Sequence, residues 1–180
     1  VPLGYTFGRI GNFINMELYG RITDASWGVL FPNAGRVPTS HPAVREVAEN
    51  VGIPIEGLSA VNLPRHPSQL YEAFLEGVLL WAVMWFVFRT RRPFRGFMLG
   101  VYLIGYSIAR FIAEYFRQPD PGLDFVVQLG PADNPRWLLA SAFNLTTGQV
   151  LSLITALVGV VVLLAIHLYI RRAPKIETFE

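Results

Sequence analysis

Apolar and polar positions along the chain sort into long oily runs separated by short polar interruptions. Two windows run nearly free of charge for the roughly 20 residues a helix needs to cross a bilayer's hydrocarbon core. They are "GFMLGVYLIGYSIARFIAEYF", Gly96 to Phe116, and "VLSLITALVGVVVLLAIHLYI", Val150 to Ile170. A third, "QLYEAFLEGVLLWAVMWFVF" from Gln69 to Phe88, spans if Glu72 and Glu76 are tolerated near one end. Residues 1–16 look like the end of a further membrane segment, too short and too polar to cross alone. The expected architecture is all-α and polytopic, with about three complete transmembrane helices, the end of a fourth, and a small extracytoplasmic region.

Between Arg21 and Pro67 the chain is rich in glycine and proline. Its one helix-like piece is "PAVREVAENVG", with proline in the first turn and glycine beyond the end. This divides the chain into a segment 1–21, a loop or head region 22–67, and a helical membrane domain 68–180. No internal repeat or low-complexity tract is evident.

Composition strengthens the membrane reading. Of the 180 residues 52% are hydrophobic and only 16% charged, whereas a soluble domain carries about a quarter charged residues. Mean hydropathy is +0.39. The net charge is only +2, and Arg89, Arg91, Arg92 and Arg95 stand together in one loop, so the pI of 9.2 implies oriented membrane loops and not a nucleic-acid partner. The absence of cysteine excludes disulfides, thiolate metal sites and a cysteine nucleophile on this chain. Any thiol chemistry must use a partner's sulfur. No charged, cleavable leader stands at Val1, so no signal peptide is expected.

Basic residues in short loops are retained on the cytoplasmic side. The Arg89–Arg95 loop and the tail with Arg171, Arg172 and Lys175 are therefore expected in the cytoplasm. The 117–148 loop, with Arg117 and Arg136 against Asp120, Asp124 and Asp133, is expected outside. Three helices running out to in, in to out, and out to in satisfy every loop at once.

On this topology the misfit polar residues collect at one depth. Glu72 and Glu76 enter the first helix four residues apart, hence on one face, and Arg110 and Glu114 leave the second helix with the same spacing. A charge inside the bilayer costs about 3 kcal/mol or more at the centre and ordinarily faces a partner or a wet cavity. Four at one level suggest a polar chamber open to the outer leaflet. The alternative is a structural Arg110–Glu114 pair with all four side chains snorkelling to the interface. "GRIGNFINMELYGR", Gly8 to Arg21, fits the same chamber. Gly8, Gly11 and Gly20 permit close helix approach or irregular backbone, Asn12 and Asn15 offer donors and acceptors, and Arg9 supplies a planar fork suited to phosphate. The alternative is a small-residue packing interface with satisfied asparagines.

That stretch resembles the signature of the prolipoprotein diacylglyceryl transferase family, matching it at Arg9, Asn12, Asn15, Glu17 and Gly20. Further blocks follow in order: "WGVLFP" (Trp27 to Pro32), "RHPSQLYEAFLEG" (Arg65 to Gly77), "ARFIAEYFRQPD" (Ala109 to Asp120) and "GQVLS" (Gly148 to Ser152). Family members are usually longer, with further amino-terminal helices and a His-Gly-Gly motif, so the chain is expected to correspond to the carboxy-terminal portion. The resemblance implies transfer of a diacylglyceryl group from phosphatidylglycerol to the lipobox cysteine thiol of a preprolipoprotein, releasing glycerol phosphate, at the outer leaflet of a bacterial inner membrane with the carboxy terminus in the cytoplasm. A membrane transport or lipid-binding subunit with an Arg/Glu chamber is the competing reading. A transporter would place its charges nearer the midplane and show repeats or broken helices.

The implied site residues follow from that chemistry. Sulfur attacks a glycerol carbon and a phosphate ester departs, so lipid and thiol must be held in line and an anion stabilised as it leaves. Arg9 and Arg110 are the candidates for gripping the phosphate, with Glu17 and Glu114 orienting them. Asn12, Asn15, Gly20, Gln69, Tyr71, Glu72 and Arg117 are candidates for substrate binding. His66 is the nearest histidine for the thiol proton, although a histidine before a proline is more often a helix-entry residue. His41 reads as loop surface and His167 as the cytoplasmic end of the last helix. No cofactor or metal is implied, because the three histidines are scattered and the carboxylates stand beside arginines. Asn144-Leu145-Thr146 matches a glycosylation sequon and reads as accidental in such a protein.

Overall fold

The structure, a computed structural model, describes residues 1–119, 125–130, 137 and 141–172. Asp120, Asp124, Asp133, Arg136 and Lys175, which enter the loop-charge argument, lie outside the described residues. The elements run α1 (Pro2–Ile14), β1 (Val37–Pro38), α2 (Pro42–Asn50), β2 (Ala60–Val61), α3 (Ser68–Phe88), α4 (Phe97–Glu114) and α5 (Thr147–Arg172). Three helices, α3, α4 and α5, are long and apolar enough to cross a membrane. The protein is mostly helical, as a polytopic membrane protein should be.

α5 shows most plainly why these segments are helices that face lipid. Its apolar residues form no single stripe, and Leu151, Ile154, Leu157, Val161, Leu164 and Leu168 are all exposed. A helix apolar all round belongs in a membrane or deep in a core, and only 11% of its most apolar window is buried. Hydroxyls within the spanning helices are satisfied by their own helix: Ser107 of α4 and Ser152 and Thr155 of α5 each donate to the carbonyl four residues back, at 2.7, 2.7 and 2.8 Å. Such back-bonding is the ordinary way a hydroxyl survives in hydrocarbon.

Small residues let the helices close. Gly100 and Gly159 lie in the α4–α5 seam, where an added Cβ would strike Leu163 at the first and come within 2.9 Å of Ile104 at the second. α1 meets α3 where Gly77 faces Thr6, whose hydroxyl donates to the Ala73 carbonyl at 3.2 Å. Gly8 and Gly11, expected to permit close approach, do not: nothing lies within 4 Å of a Cβ built on either. The reason is angular. Gly4, Gly8 and Gly11 share one helical face, whereas Tyr5, Thr6 and Arg9 form the face turned to α3. Along α3 itself the winding widens to π-type turns over Ala73–Leu79 and Val83–Phe88, a feature frequent at functional sites.

The connections sort to the two ends of the helices. At one end Phe94 of the arginine-rich loop meets His167 of α5, with ring centroids 6.1 Å apart. At the other end stands a head, where β1 pairs antiparallel with β2 and Val37, Val44, Ala48, Val61, Leu63 and Trp137 form a small core. His41 is not loop surface. It caps α2 by accepting from the Ala43 N–H at 3.3 Å and packs edge-on against Trp137. The helix it caps ends at Asn50, with Gly52 at φ 69° just beyond, as the Pro–Gly punctuation predicts.

Candidate functional site

The head is sewn to the helix ends by backbone pairing through Gly20 and Arg21. Gly20 N–H donates to the His66 carbonyl at 2.9 Å, His66 N–H to the Arg21 carbonyl at 2.9 Å, and Arg21 N–H to the Phe116 carbonyl at 3.0 Å. A Cβ on Gly20 would stand 2.6 Å from the His66 carbonyl oxygen. Gly20 is thus a crossing point between the head, the start of α3 and the end of α4.

Beneath this seam five charged side chains from three helices converge: Arg9 of α1, Glu72 and Glu76 of α3, and Arg110 and Glu114 of α4. Glu72 Oε2 lies 2.7 Å from Arg110 Nη1 and 3.0 Å from Arg9 Nη2, and it also accepts from the Tyr5 hydroxyl at 3.4 Å. Arg110 Nη2 lies 2.6 Å from Glu114 Oε2, one turn along α4, and Nη1 lies 3.7 Å from Glu76 Oε1. Arg9 is steadied on its own helix by Tyr5, whose hydroxyl accepts from Nε at 2.8 Å. Glu72, Glu76 and Glu114 are all buried. Removing one partner of such a pair would strand a buried charge, at a cost of about 3–5 kcal/mol.

The Arg110–Glu114 pair weighed as a structural feature therefore exists, but as one edge of a larger cluster. The cluster sits near one end of its helices, with Glu72 in the first turns of α3 and Arg110 in the last turns of α4.

α5 enters from the other side. Thr146 Oγ1 donates to Glu114 Oε1 at 3.1 Å and accepts from the Gln149 N–H at 3.2 Å, while Gln149 Oε1 accepts from the Thr146 N–H at 3.0 Å. This reciprocal Thr-x-x-Gln capping box satisfies two orphan donors at a helix start and binds that start to the charge cluster. The motif is legible in the sequence and was not among the expected site features. Gly148 is the close-approach point, since a Cβ there would lie 2.7 Å from Glu114 Oε1. The Gly148–Ser152 block thus owes its glycine to a carboxylate on another helix.

Between the end of α4 and the start of α5 lies a cavity of about 210 Å³ lined by Arg110, Glu114, Arg117, Thr146, Thr147 and Gly148. Two guanidinium groups and the positive end of a 26-residue helix face one space, an arrangement that favours an anion. Arg110 has five N–H donors in total, so its two close contacts, to Glu72 and Glu114, and the longer one to Glu76 leave N–H groups for a further oxygen.

The remaining predicted residues lie elsewhere. Glu17 does not reach Arg9: its carboxylate makes no ion pair among the described residues, and its carbonyl accepts from the buried Gln69 Nε2 at 2.6 Å. Asn15 and Glu17 line a separate polar cavity on the head side. Asn12 is half-buried on α1, its carbonyl accepting from the Glu17 N–H at 3.0 Å. Tyr71 accepts from Trp27 Nε1 at 2.8 Å and stands 3.2 Å from His66 Nδ1. His66 packs edge-on to Phe116 and lines a third, largely apolar cavity with Arg21 and Ile112, so the structure does not bring it to Arg110. Burial pushes the His66 imidazole below the usual histidine range, with Asp24 opposing. Asn144 of the sequon is buried, and its Oδ1 accepts from the Gly130 N–H at 3.1 Å. Among the described residues no three metal-ligating side chains gather.

Three helices long and apolar enough to span, with a buried arginine–carboxylate cluster near one end of the bundle, define a polytopic membrane protein. A family profile described as prolipoprotein diacylglyceryl transferase matches residues 1–165, and the chain belongs to that family. It is 47% identical over 175 residues to a phosphatidylglycerol–prolipoprotein diacylglyceryl transferase of Treponema pallidum, covering 95% of this chain and 52% of the relative. The transferases of the same name from Treponema denticola (44% identity, 93% of this chain, 51% of the relative) and Chlorobaculum tepidum (39%, 91% and 42%) are similar. The chain thus spans about half the length of the curated relatives it matches.

Proposed function

We propose that the protein transfers the diacylglyceryl group of phosphatidylglycerol to the lipobox cysteine thiol of a preprolipoprotein, at the outer leaflet of a bacterial inner membrane. The observation that carries this reading is the cavity where Arg110, Arg117 and the start of α5 meet. The phosphodiester of the lipid sits there. The bond between the diacylglyceryl carbon and the phosphate oxygen breaks as the carbon–sulfur bond forms, glycerol phosphate leaves with the electron pair, and the thiol proton passes to a base.

The arginines supply what the reaction needs most, donors aimed at an oxygen whose negative charge grows in the transition state. Arg110 serves as the fork on the departing phosphate. Glu72 and Glu114 hold its two nitrogens from opposite sides, so the guanidinium plane is set before substrate arrives. Arg9 acts through Glu72, which it shares with Arg110, and is a positioning residue in this reading. Arg117, from the same wall, is the second cation on the phosphate.

In this reading the head and the 117–148 loop face the exported side, while residues 89–95 and the carboxy terminus face the cytoplasm. The test uses the complete enzyme reconstituted with phosphatidylglycerol and a lipobox peptide, following the thioether product by mass. Product should form with phosphatidylglycerol and be lost in Arg110→Ala. Transfer undiminished by Arg110→Ala would overturn the assignment of the site.

A further inference from the structure

The polar cavity beside the signature turn is used by nothing so far described. It measures about 420 Å³ and is lined by Asn15, Glu17, Tyr19, Asn33, Gln118 and Pro119. We propose that it seats the polypeptide backbone of the acceptor substrate, a proposal that rests on the transferase reading above.

The backbone forming the cavity is held in an unfavourable shape. Met16 and Leu18 have φ of 57° and 55°, a left-handed conformation that costs a non-glycine residue about 1–3 kcal/mol and persists where its surroundings over-determine it. Those surroundings are visible. The carbonyl of Glu17 accepts from Gln69 Nε2 at 2.6 Å and that of Leu18 from Ser68 Oγ at 3.3 Å, both donors being fully buried at the start of α3. With the backbone tied down on that side, the side chains of Asn15, Glu17 and Asn33 make no hydrogen bond or ion pair among the described residues.

The opposite wall is set by Arg65. Its guanidinium is almost fully buried, lies over the Tyr19 ring at 4.9 Å, and donates from Nη1 to Gln118 Oε1 and from Nη2 to the Gly35 carbonyl at 3.2 Å. Because Arg65 occupies the Gln118 amide oxygen, the Gln118 amide is fixed with its NH₂ group left to donate. The cavity thus offers amide donors and acceptors on fixed supports. That is the pattern an extended peptide recognises, one N–H and one C=O per residue.

The alternative occupant, a lipid phosphate, is disfavoured by charge. This cavity is lined by a carboxylate and no arginine or lysine, whereas in the neighbouring cavity two arginines outweigh the one carboxylate, Glu114. The two spaces share Pro119, with Arg117 on the phosphate side and Gln118 on the amide side. A peptide seated here lies against the wall of the anion cavity, within a few residues' reach at about 3.3 Å per residue.

The experiment uses the complete enzyme in phosphatidylglycerol vesicles. A photo-reactive residue at position 33 should crosslink a lipobox peptide whose cysteine is replaced by serine, and unlabelled peptide should compete. Asn33→Leu, in an exposed turn, should raise the KM for peptide about tenfold and leave the KM for phosphatidylglycerol unchanged. An unchanged peptide KM, or a crosslink to lipid instead of peptide, in an enzyme that still transfers overturns this subsite alone. Failure of the wild-type enzyme to form any thioether overturns the transferase reading, and this proposal with it.

Discussion

Arg9 and Arg110, from helices far apart in the sequence, converge on one carboxylate oxygen of Glu72, at 3.0 and 2.7 Å. With Glu114 at 2.6 Å on the other nitrogen of Arg110, the guanidinium bridges two helices. A lysine ammonium, a point charge on a flexible stem, cannot span both carboxylates in that plane. Arg110→Lys in the complete enzyme should therefore reduce transfer more than a hundredfold, since one lost donor to developing charge costs on the order of 3 kcal/mol. The amount of protein in membranes should stay near wild type. Near-normal transfer would reduce Arg110 to an ion-pair partner.

Gly148 stands where a methyl group would meet the Glu114 carboxylate at 2.7 Å. Gly148→Ala is expected to displace Glu114 from Arg110, at the cost of about 1–3 kcal/mol typical of overpacking. Transfer should fall at least tenfold while α5 remains helical, because alanine favours helix over glycine. Full activity in Gly148→Ala would show that the close contact has no role.

Thr146 both caps α5 and donates to Glu114. Thr146→Ala should lower the melting temperature through loss of a cap worth about 1 kcal/mol, and also reduce transfer. Thr146→Ser should restore both, since the hydroxyl is what acts. Restoration of stability without restoration of transfer would separate the cap from the site.

His66 yields a pH prediction. Its folded-state value is lowered by burial, so between that value and about 6.5 the unfolded chain binds more protons than the folded one. Stability then falls as pH drops through this window and stays lower beneath it. Wild type should lose melting temperature on acidification relative to His66→Gln, and the two curves should run parallel above neutral pH. Parallel curves throughout would mean that the imidazole is not buried in the protein.

Topology is testable because the chain has no cysteine of its own. Single cysteines at Ser40 and Thr90 should label with an impermeant reagent from opposite sides of the membrane. Labelling from the same side would overturn the assignment drawn from the arginine-rich loop.

The sequence by itself determined the helices that can span. Hydropathy is a local sum, and the expected windows differ from Ser68–Phe88, Phe97–Glu114 and Thr147–Arg172 by a few residues at their ends. It also placed Glu72 and Glu76 on one face of α3, and Arg110 and Glu114 on one face of α4, because i,i+4 spacing on a helix fixes which residues share a face. Only the tertiary structure decided which charges touch. It gave Arg9 to Glu72 and not to Glu17, since α1 turns its Tyr5–Thr6–Arg9 face to α3 while the left-handed turn at Met16 and Leu18 carries Glu17 away to the head. It also decided what each glycine is for. Gly8 and Gly11 face open space, whereas Gly77 and Gly148 each admit a side chain from another helix. A glycine reads the same in sequence whichever neighbour it meets, and that neighbour is chosen by the packing of the whole chain.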